Sequence, residues 1–190
     1  TIMTCMKKHA IQVLIGVPRL FERFHQSLMT RLRQAPAGRM VWRVSGLLGS
    51  LRLRRALFSR IHKAFGGQLR HFISGGAPLP TDLLKDFLRM GFSLIDGYGM
   101  TEMGPLISFN TPQARKAGTV GRPTPGVQVE IRQGDEIWVR SPGLMSGYFR
   151  REDLTRATIR DGWLRTGDLG HLDSQGYLIL SGRQSDVLIL

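Results

Sequence analysis

The sequence contains a single cysteine and no long apolar run, and each shortage excludes a class of protein. Cys5 has no partner for an internal disulfide, which fits a reducing compartment. No stretch approaches the roughly 20 apolar residues that a membrane-spanning helix requires. The first nine residues lack the charged, apolar and small segments of a secretory signal peptide. At 190 residues, 42% of them hydrophobic, the chain is long enough to bury a core.

Acidic residues are also scarce in the first third of the chain. Residues 1–71 hold 14 of the 27 lysines and arginines and one acid, Glu22, whereas residues 72–190 hold 13 basic and 13 acidic residues. The net charge of +13 therefore lies wholly in residues 1–71. Such a block favours nucleic acid, an anionic membrane or cofactor phosphates, and its alternative is a solvated helical face. Because zinc-ligand spacing and RNA-binding aromatic patterns are missing, we expect no nucleic-acid partner.

The apolar pattern predicts an α/β fold, with a parallel βαβ sheet followed by a small antiparallel, barrel-like β-rich subdomain. Short apolar runs bounded by glycine or proline predict strands, and apolar residues at i, i+4 predict helices. The predicted elements of the first part are a strand at 11–17, a helix from 19 that ends at 36–38, a helix at 51–65, a strand at 71–74, a helix at 81–90 and a strand at 92–95. The order strand, helix, strand indicates a right-handed crossover between parallel strands.

From about residue 116, short apolar runs separated by glycine, proline or aspartate predict antiparallel strands. The predicted elements are strands at 127–131, 136–139, 163–164 and 177–180, turns at 133–135 and 174–176, and a helical turn near 151–157. We therefore expect residues 1–115 to be the α/β part of a larger domain and residues 116–190 to be a β-rich subdomain.

The stretch Asp96-Gly97-Tyr98-Gly99-Met100-Thr101-Glu102 follows a predicted buried strand. Open α/β sheets bind ligands beyond the carboxyl ends of their strands. Because Tyr98 lies between two glycines, a flat ring can approach the backbone and stack on the phenol. Thr101 offers a hydroxyl to an anionic oxygen, and Glu102 offers a carboxylate to a hard cation such as Mg²⁺. By spacing alone, an ordinary glycine-rich turn is the favoured explanation of the stretch.

This stretch resembles the Tyr-Gly-x-Thr-Glu signature of the adenylate-forming superfamily, which includes acyl-CoA synthetases, luciferases and nonribosomal adenylation domains. Further motifs resemble that family in the same order: residues 74–79 (Ser-Gly-Gly-Ala-Pro-Leu), 118–123, 125–127, 141–148, 163–168 (Trp-Leu-Arg-Thr-Gly-Asp) and 181–183 (Ser-Gly-Arg). The resemblance covers nearly the whole chain. Residues 17–20 and 72–79, together with the basic helices, look most like long-chain fatty acyl-CoA synthetases.

The resemblance implies an ATP-dependent, AMP-forming long-chain fatty acid–CoA ligase with ATP, Mg²⁺ and, as a substrate, CoA. A fatty carboxylate attacks the α-phosphate of ATP, and the CoA thiol then displaces AMP. Thr101 and Glu102 are the implied catalytic residues, with Glu102 on Mg²⁺. The implied nucleotide-binding residues are Gly75, Gly76, Ala77, Pro78, Asp96, Gly97, Tyr98, Gly99, Met100, Thr101, Asp168 and Arg183. Among them Asp168 and Arg183 are expected at the ribose.

Two parts of the family pattern are not found in these 190 residues. The Ser/Thr/Gly-rich phosphate loop, which precedes this region in the family, has no counterpart, and the mobile C-terminal domain would begin after Arg183. We therefore expect a fragment of the large domain that is inactive by itself. At the hinge position, where the family usually has Asp or Lys, this chain has Ser185, which leaves the hinge behaviour open.

Three other functions stay open. A related ligase passes its acyl group to a carrier protein, and a nucleotide-binding relative performs no chemistry. A basic interaction module would bind anionic lipid through residues 19–70. We expect a cytoplasmic protein. If residues 19–70 bind anionic lipid, the protein would also contact the inner face of a membrane peripherally. Chain-length preference and oligomeric state are not encoded in any motif that we identified.

Overall fold

Parallel strands alternate with helices in the first part of the chain. The computed structural model describes residues 2–76 and 79–186, which form two compact units that divide between Asp96 and Gly97. The division predicted after residue 115 stays a prediction. The elements of the first unit are α1 (Ile2–His9), β1 (Val13–Gly16), α2 (Pro18–Gln34), α3 (Pro36–Ser45), α4 (Leu51–Leu57), α5 (Ser59–Ala64), β2 (His71–Ser74), α6 (Thr81–Arg89) and the first residues of β3 (Ser93–Gly99).

The three strands of the first unit form a parallel sheet in which β2 is central. β1 and β3 both pair with β2 in parallel, which confirms the predicted βαβ arrangement. Gly16, Ser74 and Asp96 stand side by side in register, so the carboxyl ends of the three strands are level. This edge is where an open α/β sheet presents polar residues to ligands.

A cluster of aromatic rings forms the centre of the first unit. Phe72 on β2 lies 5.4 Å from the ring of Phe21, 5.0 Å from Phe87 and 5.1 Å from Phe92, measured between ring centroids. All four rings are fully buried. Most of the pairs meet edge to face or tilted, the geometry that adds about 0.5–1.5 kcal/mol per pair beyond area burial. Because these rings come from α2, β2, α6 and the segment before β3, they fix the helices on the sheet.

The helices differ from the prediction in three places. The helix predicted at 51–65 is two helices, because Phe58 leaves the helical conformation at φ −95° and ψ 26° while its ring stays buried. Pro36 ends α2 as predicted but also begins α3, which was not predicted. Proline is favourable at the first position of a helix, so one residue separates two helices here. The helix α1 was not predicted either.

The second unit is antiparallel. Its first strands are the last residues of β3, β4 (Leu106–Phe109) and β5 (Arg122–Pro123), paired in that order. A second sheet has the order β10-β9-β7-β6, with β8 paired to β9. Its elements are β6 (Gln128–Arg132), β7 (Glu136–Arg140), α7 (Glu152–Thr158), β8 (Ile159–Arg160), β9 (Trp163–Leu172) and β10 (Leu178–Arg183). The predicted α/β class with a β-rich second part is confirmed, although β4, β5 and β8 were not predicted.

Aliphatic side chains fill the centre of the second unit. Ile107, Ile137, Val139, Leu164 and Leu178 are each fully buried. They come from β4, β7, β9 and β10, and the last two of these strands carry Asp168 and Arg183. None of the described helices in either unit combines the length and apolar character that crossing a bilayer requires.

Candidate nucleotide site

Three of the predicted site residues meet in the second unit, around the carboxylate of Asp168. The Tyr98 hydroxyl donates a hydrogen bond to Oδ2 of Asp168 at 2.7 Å, and Nε of Arg183 donates to Oδ1 at 2.8 Å. The Asp168 side chain is 14% exposed and the Arg183 side chain is 62% exposed. Residues from β3, β9 and β10 therefore form one continuous polar array whose arginine end faces solvent.

An irregularity in β9 places Asp168. The register between β7 and β9 shifts at the Thr166-Gly167-Asp168 segment, and Gly167 has φ of 72°, which glycine adopts readily. The Thr166 hydroxyl donates to the carbonyl of Ile137 at 2.8 Å and accepts from the main-chain N–H of Asp168 at 3.0 Å. The threonine of the motif therefore fixes the backbone that orients the carboxylate.

A bulge in β10 brings Arg183 opposite Asp168. The register changes between Leu180 and Gly182, so that Arg183 pairs with Asp168 across the strands. Residues directly opposite in an antiparallel pair point to the same face, which explains their contact. Without the bulge, Gly182 would stand opposite Asp168.

The electrostatics of the array favour a neutral phenol beside a charged pair. Burial raises the pKa of Tyr98 well above its ordinary value of 10.0; the Thr166 hydroxyl opposes this rise, and the Asp168 carboxylate adds to it. The hydrogen bond to Asp168 raises the pKa of Arg183. Tyr98 is therefore a donor at any ordinary pH, and Arg183 stays a cation.

An open cavity of about 440 Å³ adjoins this array. Its lining residues are Thr166, Gly167, Arg183, Gln184 and Ser185. The volume lies within the range of roughly 300–1,000 Å³ that small-molecule sites occupy. Ser185, at the hinge position of the family pattern, lies in the single turn Gln184–Asp186, and its hydroxyl donates to the Asp186 carboxylate at 3.1 Å.

Glu102 is not part of the Asp168 array and makes its contacts with another segment of the second unit. It belongs to the single 3-10 turn Thr101–Met103, which is separated from β3 by Met100. The hydroxyl of Tyr148 donates to Oε1 of Glu102 at 3.0 Å, and the N–H of Met145 donates to the Glu102 carbonyl at 2.8 Å. Burial raises the pKa of Tyr148, and the hydrogen bond to Glu102 raises it further.

The donor set suits magnesium better than a metal held by protein alone. No group of three or more His, Cys, Asp or Glu side chains gathers among residues 2–76 and 79–186. Mg²⁺ is usually held by one or two carboxylates together with substrate phosphates and water. The partly buried carboxylate of Glu102 satisfies that requirement, and the exposed Thr101 beside it offers a hydroxyl.

The glycines around Tyr98 have distinct structural roles. A Cβ on Gly99 would overlap the carbonyl oxygen of Pro105, so that position accepts only glycine without rearrangement. Gly97 pairs with Phe109 of β4. Met100 has an extended backbone and packs against the core of the second unit.

The remaining predicted residues fall in the first unit or outside the described residues. The N–H of Gly75 donates to the carbonyl of Gly16 at 3.3 Å, and Gly76 has φ of 85°. Asp96 ends the parallel part of β3. Ala77 and Pro78 lie outside the described residues. The roles of all these residues toward a nucleotide stay predictions.

Two residues of the site were missed by the sequence analysis. Tyr148 was assigned to a structural framework segment, 141–148, and Thr166 was named only as part of its motif. A signal existed for Thr166, because a hydroxyl two residues before an aspartate can cap the turn that presents it. Nothing in the sequence links Tyr148 to Glu102.

Comparison with known proteins places these motifs in a family. The AMP-binding enzyme family model matches residues 1–149. The long-chain-fatty-acid–CoA ligase FadD15 of Mycobacterium bovis is 33% identical over a segment that covers 93% of this chain and 32% of that protein. The 2-succinylbenzoate–CoA ligase of Bacillus mycoides is 39% identical over 66% of this chain and 28% of its own length.

Solved structures agree with the sequence matches. The O-succinylbenzoate CoA synthetase MenE of Bacillus subtilis, in complex with ATP and a magnesium ion, superimposes with a TM-score of 0.69 at 26% identity, covering 98% of this chain and 34% of that one. This chain thus spans about a third of the length of these relatives. The relatives include ligases for fatty and aromatic acids, so they support the CoA ligase group without fixing the acid. The chain belongs to the AMP-binding enzyme family.

Proposed function

We propose that this chain forms the adenosine-binding part of an ATP-dependent, AMP-forming CoA ligase. The observation that supports it most is the Tyr98–Asp168–Arg183 array beside an open cavity. A carboxylate has about four lone-pair sites, so Asp168 can accept ribose hydroxyls while it keeps its two protein donors. Charge-assisted hydrogen bonds of this kind are roughly twice as strong as neutral ones.

Each member of the array has a separate role in this proposal. Asp168 accepts hydrogen bonds from the ribose, and Tyr98 holds its carboxylate through a hydroxyl that stays protonated. Arg183 donates to Asp168 through Nε, and we propose that its other N–H groups donate to the nucleotide. Because the Arg183 side chain is mostly exposed, its ion pair contributes little stability, and the guanidinium is accessible to a ligand.

In the proposed reaction, a carboxylate oxygen of the acid attacks the α-phosphorus of ATP, and pyrophosphate leaves. The CoA sulfur then attacks the acyl carbon, and AMP leaves. Glu102 is the residue that would hold Mg²⁺, and Thr101 would contact a phosphate. When bound, Mg²⁺ neutralises charge on the phosphates. The contribution of this chain is positioning and electrostatic stabilisation of the nucleotide.

The acid is proposed to be a long-chain fatty acid. FadD15 of Mycobacterium bovis matches across 93% of this chain, whereas the 2-succinylbenzoate–CoA ligase matches across 66%. The wider sequence match supports the fatty acid, and an aromatic acid is the competing substrate. The family resemblance also implies adenine contacts for Gly76, Ala77, Asp96 and Tyr98, and we include them in this proposal.

Pyrophosphate exchange in a full-length protein that contains this chain tests the proposal. Fatty acids of graded length and 2-succinylbenzoate serve as substrates, with and without CoA. We expect exchange with long fatty acids and AMP release that depends on CoA. Exchange with 2-succinylbenzoate alone would identify an aromatic acid as the substrate. Exchange without use of CoA would support transfer of the acyl group to a carrier protein.

Two aspartate variants test whether nucleotide binding depends on the candidate site. Asp168→Asn removes the charge at the proposed ribose contact and should lower AMP affinity about tenfold or more. Asp153→Asn is the matched control, because its carboxylate pairs with Arg151 on the exposed surface. No AMP binding by the unaltered protein would contradict the proposal, and AMP binding without any exchange would identify a relative that performs no chemistry.

A surface of the first unit supports a second proposal, contact with an anionic membrane. Met40 and Val44 are exposed on helix α3, and Leu47, in the turn that follows the helix, is 87% exposed. Arg39 and Arg43 are exposed on the same side of the helix. Apolar residues of this kind insert at the boundary between lipid headgroups and acyl chains, and the flanking arginines attract anionic headgroups.

The arginines of this region have different roles. Arg54 donates to the carbonyl of Leu48, and Arg55 donates to the carbonyls of Leu69 and Gly67, so both stabilise the fold. Arg39 and Arg43 are exposed on α3, as Arg52 is on α4. The membrane proposal therefore rests on these exposed arginines, and the cytoplasmic location is proposed with it.

Sedimentation with vesicles tests the membrane contact. The full-length protein should bind vesicles that contain phosphatidylserine and not vesicles of phosphatidylcholine alone, with less binding at high salt. Leu47→Ser and Arg43→Glu should each reduce binding, whereas Arg160→Glu, on an exposed strand of the second unit, should not. Equal binding by all variants, or no binding because other parts of the protein cover this surface, would contradict the proposal.

A further inference from the structure

We propose that Tyr148 is a positioning residue for Glu102, holding its carboxylate in the orientation that receives Mg²⁺. The inference rests on the metal role of Glu102 in the proposed function. It adds a residue that neither the sequence motifs nor the comparisons assign. The two residues are 46 positions apart in the chain, and the fold brings their side chains together.

One short segment holds Glu102 at two points. The Tyr148 hydroxyl donates to Oε1 of the carboxylate at 3.0 Å, and the N–H of Met145 donates to the main-chain carbonyl at 2.8 Å. A glutamate side chain without such contacts rotates freely about its bonds and loses entropy when it binds an ion. With one lone pair engaged by Tyr148, the carboxylate keeps other sites for a cation.

The close approach of the two segments depends on two glycines. A Cβ on Gly104 would lie 3.0 Å from the carbonyl oxygen of Gly143, and a Cβ on Gly143 would lie 3.0 Å from the carbonyl oxygen of Met103. Gly104 also has φ of 65°, which ends the turn that contains Glu102. Side chains at these positions would separate the turn from the segment that supports it.

Tyr148 is itself fixed by the helix that follows it. Its N–H donates to the hydroxyl of Thr155 at 2.9 Å, and that hydroxyl donates to the carbonyl of Arg151 at 3.0 Å. The Thr155 side chain packs on Gly147, where a Cβ would lie 2.8 Å from its methyl group. Contacts with α7 therefore hold Tyr148 in place, and Tyr148 in turn holds the Glu102 carboxylate.

Metal affinity of the full-length protein tests the positioning role. Partners that orient a metal ligand typically change metal affinity by about 10–100-fold when removed. Mn²⁺ binding is measured by electron paramagnetic resonance in the presence of a non-hydrolysable ATP analogue. We expect Tyr148→Phe to weaken Mn²⁺ binding about tenfold. AMP affinity without metal should stay unchanged. Tyr177→Phe is the matched control, since that buried tyrosine packs under Arg122.

The outcomes separate this inference from the proposed function. If Glu102→Gln weakens Mn²⁺ binding and Tyr148→Phe does not, the positioning role is refuted and the metal role stands. If Glu102→Gln leaves Mn²⁺ binding unchanged, the metal role fails and the inference fails with it. A loss of metal-free AMP binding in Tyr148→Phe would show a general structural role instead. In the expected case, Tyr148→Phe adds no further loss to Glu102→Gln.

Discussion

Acidification below pH 6.5 is expected to destabilise the first unit through one buried side chain, His62. The ring is 4% exposed, lies 4.0 Å from the ring centroid of Phe92 and makes a 2.9 Å hydrogen bond from Nε2 to the carbonyl of Met90. Because a carbonyl oxygen only accepts, Nε2 carries the proton of the neutral ring and donates to that carbonyl. Nδ1 is buried and has no hydrogen-bond partner among the described residues. A proton there would place charge among aromatic rings.

Burial lowers the pKa of His62 from 6.5 to about 4; the bond to Met90 opposes this change and the charge of Arg55 adds to it. Above pH 6.5 the ring is neutral in both the folded and the unfolded chain, so it adds no pH dependence. Between pH 6.5 and 4 the unfolded chain binds the proton more readily, and stability falls as pH falls. At about 1.4 kcal/mol per pKa unit, the whole loss is about 3 kcal/mol, complete below pH 4.

The assay compares His62→Gln with the unaltered chain by urea unfolding at several pH values. Glutamine keeps an amide donor for the Met90 carbonyl but does not titrate, so the difference between the two proteins isolates His62. That difference should fall by about 1.4 kcal/mol per pH unit below 6.5. A constant difference from pH 7.5 to 4.5 would refute the reasoning. If the variant does not fold, NMR titration of the His62 ring in the unaltered chain should give an apparent pKa near 4.

Three further predictions concern the second unit. Tyr98→Phe removes a hydrogen bond to a carboxylate, worth about 1.5–3 kcal/mol, and should weaken AMP binding at least tenfold by calorimetry; an unchanged affinity would count against the array. Because burial raises the pKa of Tyr98, AMP affinity should show no tyrosine titration between pH 7 and 9.5. Gly121→Ala should cost roughly 3 kcal/mol or more in chemical unfolding, since its Cβ would overlap the backbone of Phe109. Gly118→Ala, with similar φ but open space, should cost about 1–2 kcal/mol, and equal costs would contradict the steric argument.

The elements that the sequence predicted correctly are those whose pattern is local. The strands β1, β2 and β3 are short apolar runs closed by glycine or proline, and burial of such runs between helices leaves few alternatives. The break at Phe58 is not local, because the ring turns inward to a core built from other elements. Helix α3 was missed because Pro36 signals the end of one helix and the beginning of another equally well.

The candidate site divides in the same way. The identity of Tyr98, Asp168 and Glu102 came from motifs, since each motif lies within a few residues of sequence. Their contacts did not, because they join segments that are 70 and 46 positions apart. Tyr148 shows most clearly what a motif does not predict, because its position near Glu102 depends on how closely two segments approach at Gly104 and Gly143. A motif names the ligand-binding residue, and tertiary packing selects the residue that orients it.

The register of β10 shows why orientation is harder to predict than identity. Ser181 is the extra residue between Leu180 and Gly182, and it shifts Arg183 into the position opposite Asp168. In a regular ladder, Arg183 would stand one place further along, and a shift by one residue turns a side chain to the other face of a sheet. The sequence Ser-Gly-Arg does not state where the bulge falls; the pairing with β9 decides it. The proposed ribose contact of Arg183 therefore depends on Ser181 staying unpaired: with Ser181 paired to Leu169 in a regular ladder, Gly182 would stand opposite Asp168 and the guanidinium would turn away from the carboxylate, while the core residues of β10 stay in place.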